Sequence, residues 1–408
     1  MATGAAAFIL SPSTIIDLCH ALRHDAAMVL VGYILLLVSA IGTCCLIIAA
    51  RRAWRLGSRA PAVAASDRPV TLLKPLHGAE PALLANLTSF ITQTHDGPLQ
   101  MICGVQNPAD PAIAAVEALR AAHPDADISL VVDPTRHGSN AKISNLTNMV
   151  AHARHDLLIL SDSDMAVAPD YIARVIAALD APGVAAVTCL YRGRGDAGPW
   201  SRLAAMGISQ HFLPEVLLGT VLGLASPCMG STIALRRATL DAIGGMAAFA
   251  DLLADDYAMG AAIRAQGGRI ALPDMLLTHG CVEISFATLA RRELRANRTI
   301  ARLDPVGFAG SVILHPLPFA LAGGLLTGFA PTALAAIAAA LGTRLALALL
   351  VDRAAGERTA PLWWIPARDL LSFVLFLATF FGRSVDWRGA SFTVDAKGLL
   401  SAQQDKRS

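Results

Sequence analysis

Long apolar runs occupy both ends of this chain, while shorter ones alternate with polar stretches in its middle. Met28 to Ala50 is an apolar run of spanning length, softened only by Gly, Ser, Thr and Tyr, and Arg51, Arg52, Arg55 and Arg59 follow it. The pattern predicts a membrane helix over 28–50. It shows no short apolar core followed by a small-residue cleavage site, so an uncleaved anchor is expected, not a signal peptide. The arginines predict that the chain continues in the cytoplasm, with residues 1–27 on the other side. Near the far end, Phe308 to Ala330 and Pro331 to Val351 meet at a proline and predict a membrane hairpin over 308–351. The last run, Trp363 to Phe381, opens on a Trp pair and carries Arg368 and Asp369 in its first turns. Such charges cost about 2.5–3.5 kcal/mol each at the centre of a span, so an interfacial helix is favoured over a further crossing. With that choice Arg353 and Arg358 before it, and Arg383, Arg388, Lys406 and Arg407 in the tail 382–408, all fall on the cytoplasmic side.

The middle, residues 51–302, reads as a globular domain whose apolar runs are short and bounded by turn residues. Val70 to Leu73, Leu99 to Val105, Ile128 to Val132, Leu157 to Leu160 and Val184 to Leu190 predict strands. Between them Ala82 to Ile91, Ile113 to Ala122 and Ala141 to Ala153 predict helices. Alternation of this kind implies an α/β fold with a mostly parallel sheet, carried by transmembrane helices at both ends. Asn140 is the expected N-cap of the third helix, with Lys142 beside it, an arrangement suited to anions.

Composition agrees with a protein that is part membrane and part globular: 54% of residues are hydrophobic and only 16% charged. The net charge of +2 and the lack of an aromatic-interleaved basic stretch give no reason to expect nucleic acid as a partner. Seven cysteines show neither C-x-x-C spacing nor a histidine at zinc-finger distance, so reduced, structural thiols are expected.

Two acidic clusters concentrate the candidate chemistry. Ser161-Asp162-Ser163-Asp164 follows the apolar run Leu157 to Leu160, and Asp255-Asp256-Tyr257 comes later. Carboxylates at the end of a buried parallel strand stand at the carboxyl edge of the sheet, where open α/β sheets bind ligands. Asp162 and Asp164 can both reach one hard divalent cation, Mg²⁺ or Mn²⁺, whose other ligands would be phosphate oxygens; the bland alternative is a solvated Asx-turn. His279, after an expected strand Met275 to Thr278, is a candidate third ligand or a simple core histidine. If Phe286 to Arg302 is helical, Arg291, Arg295, Arg298 and Arg302 form one basic stripe. That stripe could face a diphosphate, lie on anionic headgroups or be merely solvated.

In order along the chain stand Gly104-Val105-Gln106-Asn107-Pro108-Ala109-Asp110-Pro111, Gly138-Ser139-Asn140-Ala141-Lys142-Ile143-Ser144-Asn145-Leu146, Ser161-Asp162-Ser163-Asp164, Ala254-Asp255-Asp256-Tyr257 and Arg292-Glu293-Leu294-Arg295. With Trp387-Arg388-Gly389 near the end, this series resembles the ceramide glucosyltransferases and their bacterial relatives that glycosylate hopanoids. The resemblance covers nearly the whole chain. It implies a GT-A type nucleotide-sugar domain on the cytoplasmic face, in a bacterium at the inner membrane. It further implies inverting transfer of glucose or N-acetylglucosamine from a UDP-sugar to the hydroxyl of a membrane lipid. A processive polysaccharide synthase and a catalytically silent nucleotide-sugar binder are the alternatives.

By the same resemblance Asp162 matches the family's second aspartate, and Asp256 the third, its catalytic base. Asn107 takes the place of the first aspartate, which helps hold the uridine, and joins Lys142 and Asp162 as a donor-binding residue. Arg292 and Arg295 match the R-x-x-R of the (Q/R)-x-x-R-W signature and count as catalytic. Ala296 stands where that signature has Trp. Cys228-Met229-Gly230-Ser231 resembles the acceptor-side segment.

Overall fold

The computed structural model describes residues 12–57 and 64–381 and three short strands at 384–387, 390–394 and 400–402; side chains are described between 25 and 57 and between 64 and 381. Arg59, Arg383, Arg388, Lys406, Arg407 and residues 1–11 therefore lie outside the described residues.

The elements follow in the order α1 (Pro12–Gly57), β1 (Val70–Pro75), α2 (Leu83–Ile91), β2 (Leu99–Val105), α3 (Ala112–Ala122), β3 (Asp127–Val132), α4 (Ala141–Val150), β4 (Leu157–Leu160), β5 (Met165–Ala166), α5 (Tyr171–Leu179), β6 (Val184–Val187) and β7 (Leu190–Gly195). Then come α6 (Pro199–Gly207), α7 (Leu213–Val221), β8 (Ile233–Arg236), α8 (Arg237–Ala242), α9 (Asp255–Ala265), β9 (Arg269–Ala271), β10 (Leu276–Cys281) and α10 (Phe286–Leu303). The helices α11 (Pro305–Gly310), α12 (Pro316–Leu326), α13 (Pro331–Ala355) and α14 (Ile365–Thr379) complete the chain's described helices.

A seven-stranded sheet in the order β3-β2-β1-β4-β8-β6-β9 forms the centre. Strands β1 to β4 run parallel, and β8 alone runs antiparallel to both its neighbours, β4 and β6. Both faces of the inner strands are covered, which is why β1 is buried along nearly its whole length and β4 reads as an unbroken apolar run. Alternate residues divide between two cores. Leu72, Met101 and Ile159 pack towards α2, α3 and α5, whereas Leu73, Ile102 and Leu158 pack towards α4, α8 and α9.

A second sheet, β5-β10-β7, lies against the end of the first and sets His279 opposite Met165 in antiparallel register. The predicted strand Val184 to Leu190 is thereby split between two sheets. The break falls at Thr188 and Cys189, where side chains replace the ladder: Thr188 Oγ1 accepts the Met229 N–H at 2.9 Å, and Ser231 Oγ donates to the Cys189 carbonyl at 2.7 Å. Pairing β7 with β10 is a non-local contact that no alternation pattern announces.

Among the described residues three helices are long and apolar enough to cross a membrane: Asp25–Leu56 within α1, Pro331–Ala355 and Leu362–Thr379. The expected span 308–330 is instead a bent pair, Pro305–Leu314 and Pro316–Leu326, turned by 59° at His315. Pro316 and Pro318 explain the bend, since neither has an amide hydrogen to continue the helical ladder. The C-terminal half of α1 is buried by α7 and α13 through Leu46, Ala49, Ala53, Leu213, Leu217, Leu347 and Val351. Arg368 and Asp369, expected to hold α14 at the headgroup level, are each only 1% exposed and are paired inside the protein. Their charge therefore supplies no argument against a crossing by this helix.

Candidate active site

The carboxyl ends of β1, β2 and β4 open into a polar pocket of about 730 Å³, lined among others by Asn107, Lys142, Asp162, Asp164, Glu80 and Arg295. Lys74, the penultimate residue of β1, supports the acidic segment from within the fold. The Lys74 ammonium is fully buried, lies 3.6 Å from the centre of the Phe90 ring, and donates to Ser161 Oγ at 3.2 Å and to the Asp162 carbonyl at 2.6 Å. Burial lowers its pKa to about 8, although the neighbouring Asp162 and Asp164 charges oppose the shift. Sequence reading passed over this residue, because a lysine one position from the end of an apolar strand looks like an exposed terminus.

Asn140 caps α4 as predicted, its Oδ1 accepting the N–H groups of Lys142 and Ile143 at 2.9 and 3.1 Å. The cap fixes the start of the helix and with it Lys142, whose Nζ lies 2.7 Å from Asp162 Oδ1 and 3.4 Å from Asp255 Oδ2. The two acidic clusters, far apart in sequence, are thus joined through one lysine. A second bridge is made by backbone. Gly230 accepts the Asp162 N–H at 3.1 Å and donates its own N–H to Asp256 Oδ2 at 3.0 Å. A Cβ at Gly230 would stand 2.5 Å from Asp162 Oδ2 and 3.0 Å from Lys142 Nζ, so a side chain there has to displace the carboxylate or the ammonium. The four-residue segment at 228–231 therefore holds the carboxylates.

Asp256 is the second residue of α9, where its Oδ1 also accepts the Tyr257 N–H at 2.8 Å. Burial first, and then the adjacent Asp255 charge, raises its pKa to about 6 against the pull of Lys142. A carboxylate so placed is ionised at neutral pH yet basic enough to take a proton.

Asp164 faces the second sheet. Its Oδ2 lies 3.1 Å from His279 Nε2, and the same imidazole nitrogen lies 3.1 Å from an Arg292 Nη2. Nε2 cannot donate to Asp164 and accept from Arg292 at once, so one contact holds in each protonation state. Burial works against charge on both partners, but their mutual attraction outweighs it. Asp164 is held at about 2 and His279 is raised to about 10. Arg292 also donates to Glu283 at 2.8 Å. Glu80, missed in the sequence, accepts from Ser163 Oγ at 3.1 Å; burial and then Asp164 raise its pKa to about 7.

For a divalent cation, the three residues singled out in the sequence are brought only partly together. Among the described residues no three carboxylate, imidazole or thiol groups converge as a closed metal site. An open site fits. Asp164 Oδ1 and His279 Nδ1 are buried without a hydrogen-bond partner. Cations of this class are commonly held by one or two protein groups, with substrate phosphates completing the shell.

Of the other predicted residues, Asn107 lines the pocket with its Oδ1 committed to the Ala109 N–H at 2.9 Å, which leaves the amide NH₂ as its pocket donor. Arg295 lines the pocket as well, while Ala296 on the next step of α10 is exposed. The capping box of Ser285 and Thr288 starts α10 and sets this register.

A mostly parallel α/β sheet with a D-x-D at its carboxyl edge, flanked by apolar helices, is a GT-A type nucleotide-sugar domain carried by membrane segments. The chain belongs to glycosyl transferase family 21, whose sequence profile matches residues 34–400. It is 25% identical over 262 residues to ceramide glucosyltransferase 1 of Caenorhabditis elegans, covering 64% of this chain and 55% of that protein. With the ceramide glucosyltransferase of Candida albicans it shares 29% over 107 residues, 24% of this chain and 20% of the relative. The chain thus spans about half or less of the curated relatives it matches. Among solved structures, the mannosyltransferase PcManGT from Pyrobaculum calidifontis, in complex with GDP-Man and Mn²⁺, aligns with a TM-score of 0.47 and 23% identity over 86% of this chain and 99% of that one. The S. aureus TarS fragment 1-349 with UDP-GlcNAc aligns at 0.39 and 15% identity over 82% of this chain and 99% of its own.

Proposed function

We propose that this chain is a membrane-bound inverting glycosyltransferase that moves glucose or N-acetylglucosamine from a UDP-sugar to the hydroxyl of a membrane lipid, a ceramide or a hopanoid polyol. The observation that carries the reading is the convergence of Lys142, Asp162, Asp255 and Asp256 about Gly230 beside a polar pocket. The family membership and the apolar helices at both ends support it. We place the catalytic domain on the cytoplasmic face of a bacterial inner membrane, because Arg51, Arg52 and Arg55 follow the first apolar run.

In this reading Asn107 and Asp162 take the nucleoside end of the donor, and Lys142 and Arg295 face its diphosphate. Asp256 accepts the proton of the lipid hydroxyl as that oxygen attacks the anomeric carbon and the bond to UDP breaks. Its two oxygens each hold one backbone N–H, which fixes the carboxylate while leaving lone pairs for the acceptor. General-base assistance of this kind contributes about 10²–10⁴ in rate. Asp164 and His279, with Asp162 nearby, would hold Mg²⁺ or Mn²⁺, and such an ion supplies electrostatic stabilisation to the departing diphosphate. Arg292, close to His279, adds positive charge on the same side.

The test is transfer itself. The purified full chain is incubated with UDP-glucose or UDP-N-acetylglucosamine and with ceramide or hopanoid polyol in mixed micelles, and the lipids are read by mass spectrometry. A lipid heavier by one hexose or N-acetylhexosamine residue, formed in proportion to released UDP, is expected. UDP release without a glycolipid, or a polymeric product, overturns the reading.

A further inference from the structure

Arg344 stands near the middle of α13 and is 1% exposed. Two prolines on other segments account for its place. The carbonyls of Leu314, at the bend before α12, and of Gln210, in the π-helical turn Ile208–Phe212 before α7, each have a proline at the position four residues on, where an α-helix would place the donor amide hydrogen. The residues found there are Pro318 and Pro214, which have none. Arg344 supplies both donors, Nη2 to the Leu314 carbonyl at 2.6 Å and Nη1 to the Gln210 carbonyl. Its Nε donates to Asp369 Oδ2 on α14 at 3.1 Å. The planar fork of one guanidinium thereby ties α13, α14, the turn before α7 and the bend before α12 together.

The next residue of α14 carries the link towards the pocket. Arg368, also 1% exposed, donates from Nη2 to Glu293 Oε1 on α10 at 2.7 Å. Glu293 lies between Arg292, which reaches His279, and Arg295, which lines the pocket. Room for the pair is kept by Gly207 at the end of α6, where a Cβ would fall 2.2 Å from Arg368 Nη2 and 2.8 Å from Glu293 Oε1. Arg368 Nε and Nη1 are buried without partners, so the pair is poorly built for stability alone. A buried guanidinium with so few partners costs more than an apolar side chain of similar size would.

We propose that Glu293, Arg368 and Gly207 form a positioning contact that seats α10, and with it Arg292 and Arg295, against the donor pocket. Arg344 and Asp369 hold α14 so that this seat is fixed by the packing of the membrane helices. The proposal rests on the transferase reading, and none of the three residues is a catalytic residue.

The experiment compares Arg368→Met, Gly207→Ala and Glu293→Gln in the purified full chain, by steady-state kinetics with each substrate varied, UDP affinity by calorimetry, and thermal midpoint. Arg368→Met should lower kcat/KM for the UDP-sugar at least tenfold and weaken UDP binding, with the thermal midpoint unchanged or raised. Gly207→Ala, which wedges the pair apart without removing a charge, should move the same constants in the same direction. Glu293→Gln keeps an acceptor oxygen for Arg368 and should stay within about threefold of wild type. Kinetic constants and UDP affinity within twofold of wild type in both Arg368→Met and Gly207→Ala would overturn the proposal, as would losses that only track a lowered midpoint. Should the wild-type chain transfer no sugar, the transferase reading falls, while UDP affinity across the variants still decides whether α10 is seated by this contact.

Discussion

Two ionic clusters lie in this molecule, one at the sheet edge and one among the membrane helices, and they are built on opposite principles. Around Lys142 the carboxylates are shared and partly open: Asp162 has one oxygen on the lysine, and Asp164 keeps a buried oxygen with no partner. Around Arg344 the guanidinium is spent on carbonyls that prolines have stripped of their helical donors and on Asp369. The first leaves binding capacity for a charged ligand. The second spends the Arg344 guanidinium on holding helices together, although Asp369 Oδ1 and His211 Nε2 beside it are buried without a hydrogen-bond partner.

The sharpest way to break this contrast is to neutralise the open cluster without changing its shape. Asp256→Asn keeps the volume but cannot take a proton, and transfer should fall by about 10²–10⁴ with UDP binding nearly intact. Turnover above about a tenth of wild type, measured as glycolipid formed, would remove Asp256 from its role. Chelation comes next. Excess EDTA should abolish transfer and added Mg²⁺ or Mn²⁺ restore it; unchanged activity would mean that Lys142, Arg292 and Arg295 neutralise the diphosphate without an ion.

Gly230→Ala should cost about tenfold in kcat/KM for the donor, because the new methyl occupies the space of Asp162 Oδ2 and Lys142 Nζ. A variant with wild-type kinetics would show that the carboxylate can shift freely. The pH profile follows from Asp256, whose pKa of about 6 lies above the ordinary aspartate value. As the base must be ionised, kcat/KM should be level above that value and fall about tenfold per unit below it; a limb that breaks near pH 4 would contradict the raised pKa.

How far these clusters were legible in the sequence differs in the same way. The parallel strands were readable because burial on both faces makes β1, β2 and β4 rich in apolar residues, and Asn140 announced its helix by cap chemistry. Asp162 and Asp164 stood out as carboxylates at a strand end. Their tethering did not, since Lys142 meets Asp255 and Gly230 meets both Asp162 and Asp256 only after α9 packs on the sheet. Lys74 and Glu80 carried no local pattern. Strand β7 was missed beyond Leu190, because Tyr191-Arg192-Gly193-Arg194-Gly195 carries no apolar run. In the membrane region Arg368 and Asp369 suggested an interface, as charges in apolar runs usually do. The partners that bury them, Glu293 and Arg344, come from distant segments and leave no local mark around α14.

The smallest expected effect lies at Ala296, exposed on α10 beside the pocket-lining Arg295. Ala296→Trp adds apolar surface without overfilling a core, so the KM for lipid should change by a few-fold and that for the UDP-sugar by less. Equal shifts in both constants would place this position away from the acceptor path.

The central claim is that the Gly230-centred cluster transfers a sugar from UDP to a lipid hydroxyl with Asp256 as base. Radiolabelled UDP-sugar, a lipid acceptor and the full chain, wild type against Asp256→Asn, test it in one assay. Labelled glycolipid from the wild type, at least tenfold less from the variant, and equal UDP affinity in both is the predicted result. Glycolipid formed equally by both proteins, or by neither while UDP binds, would contradict it.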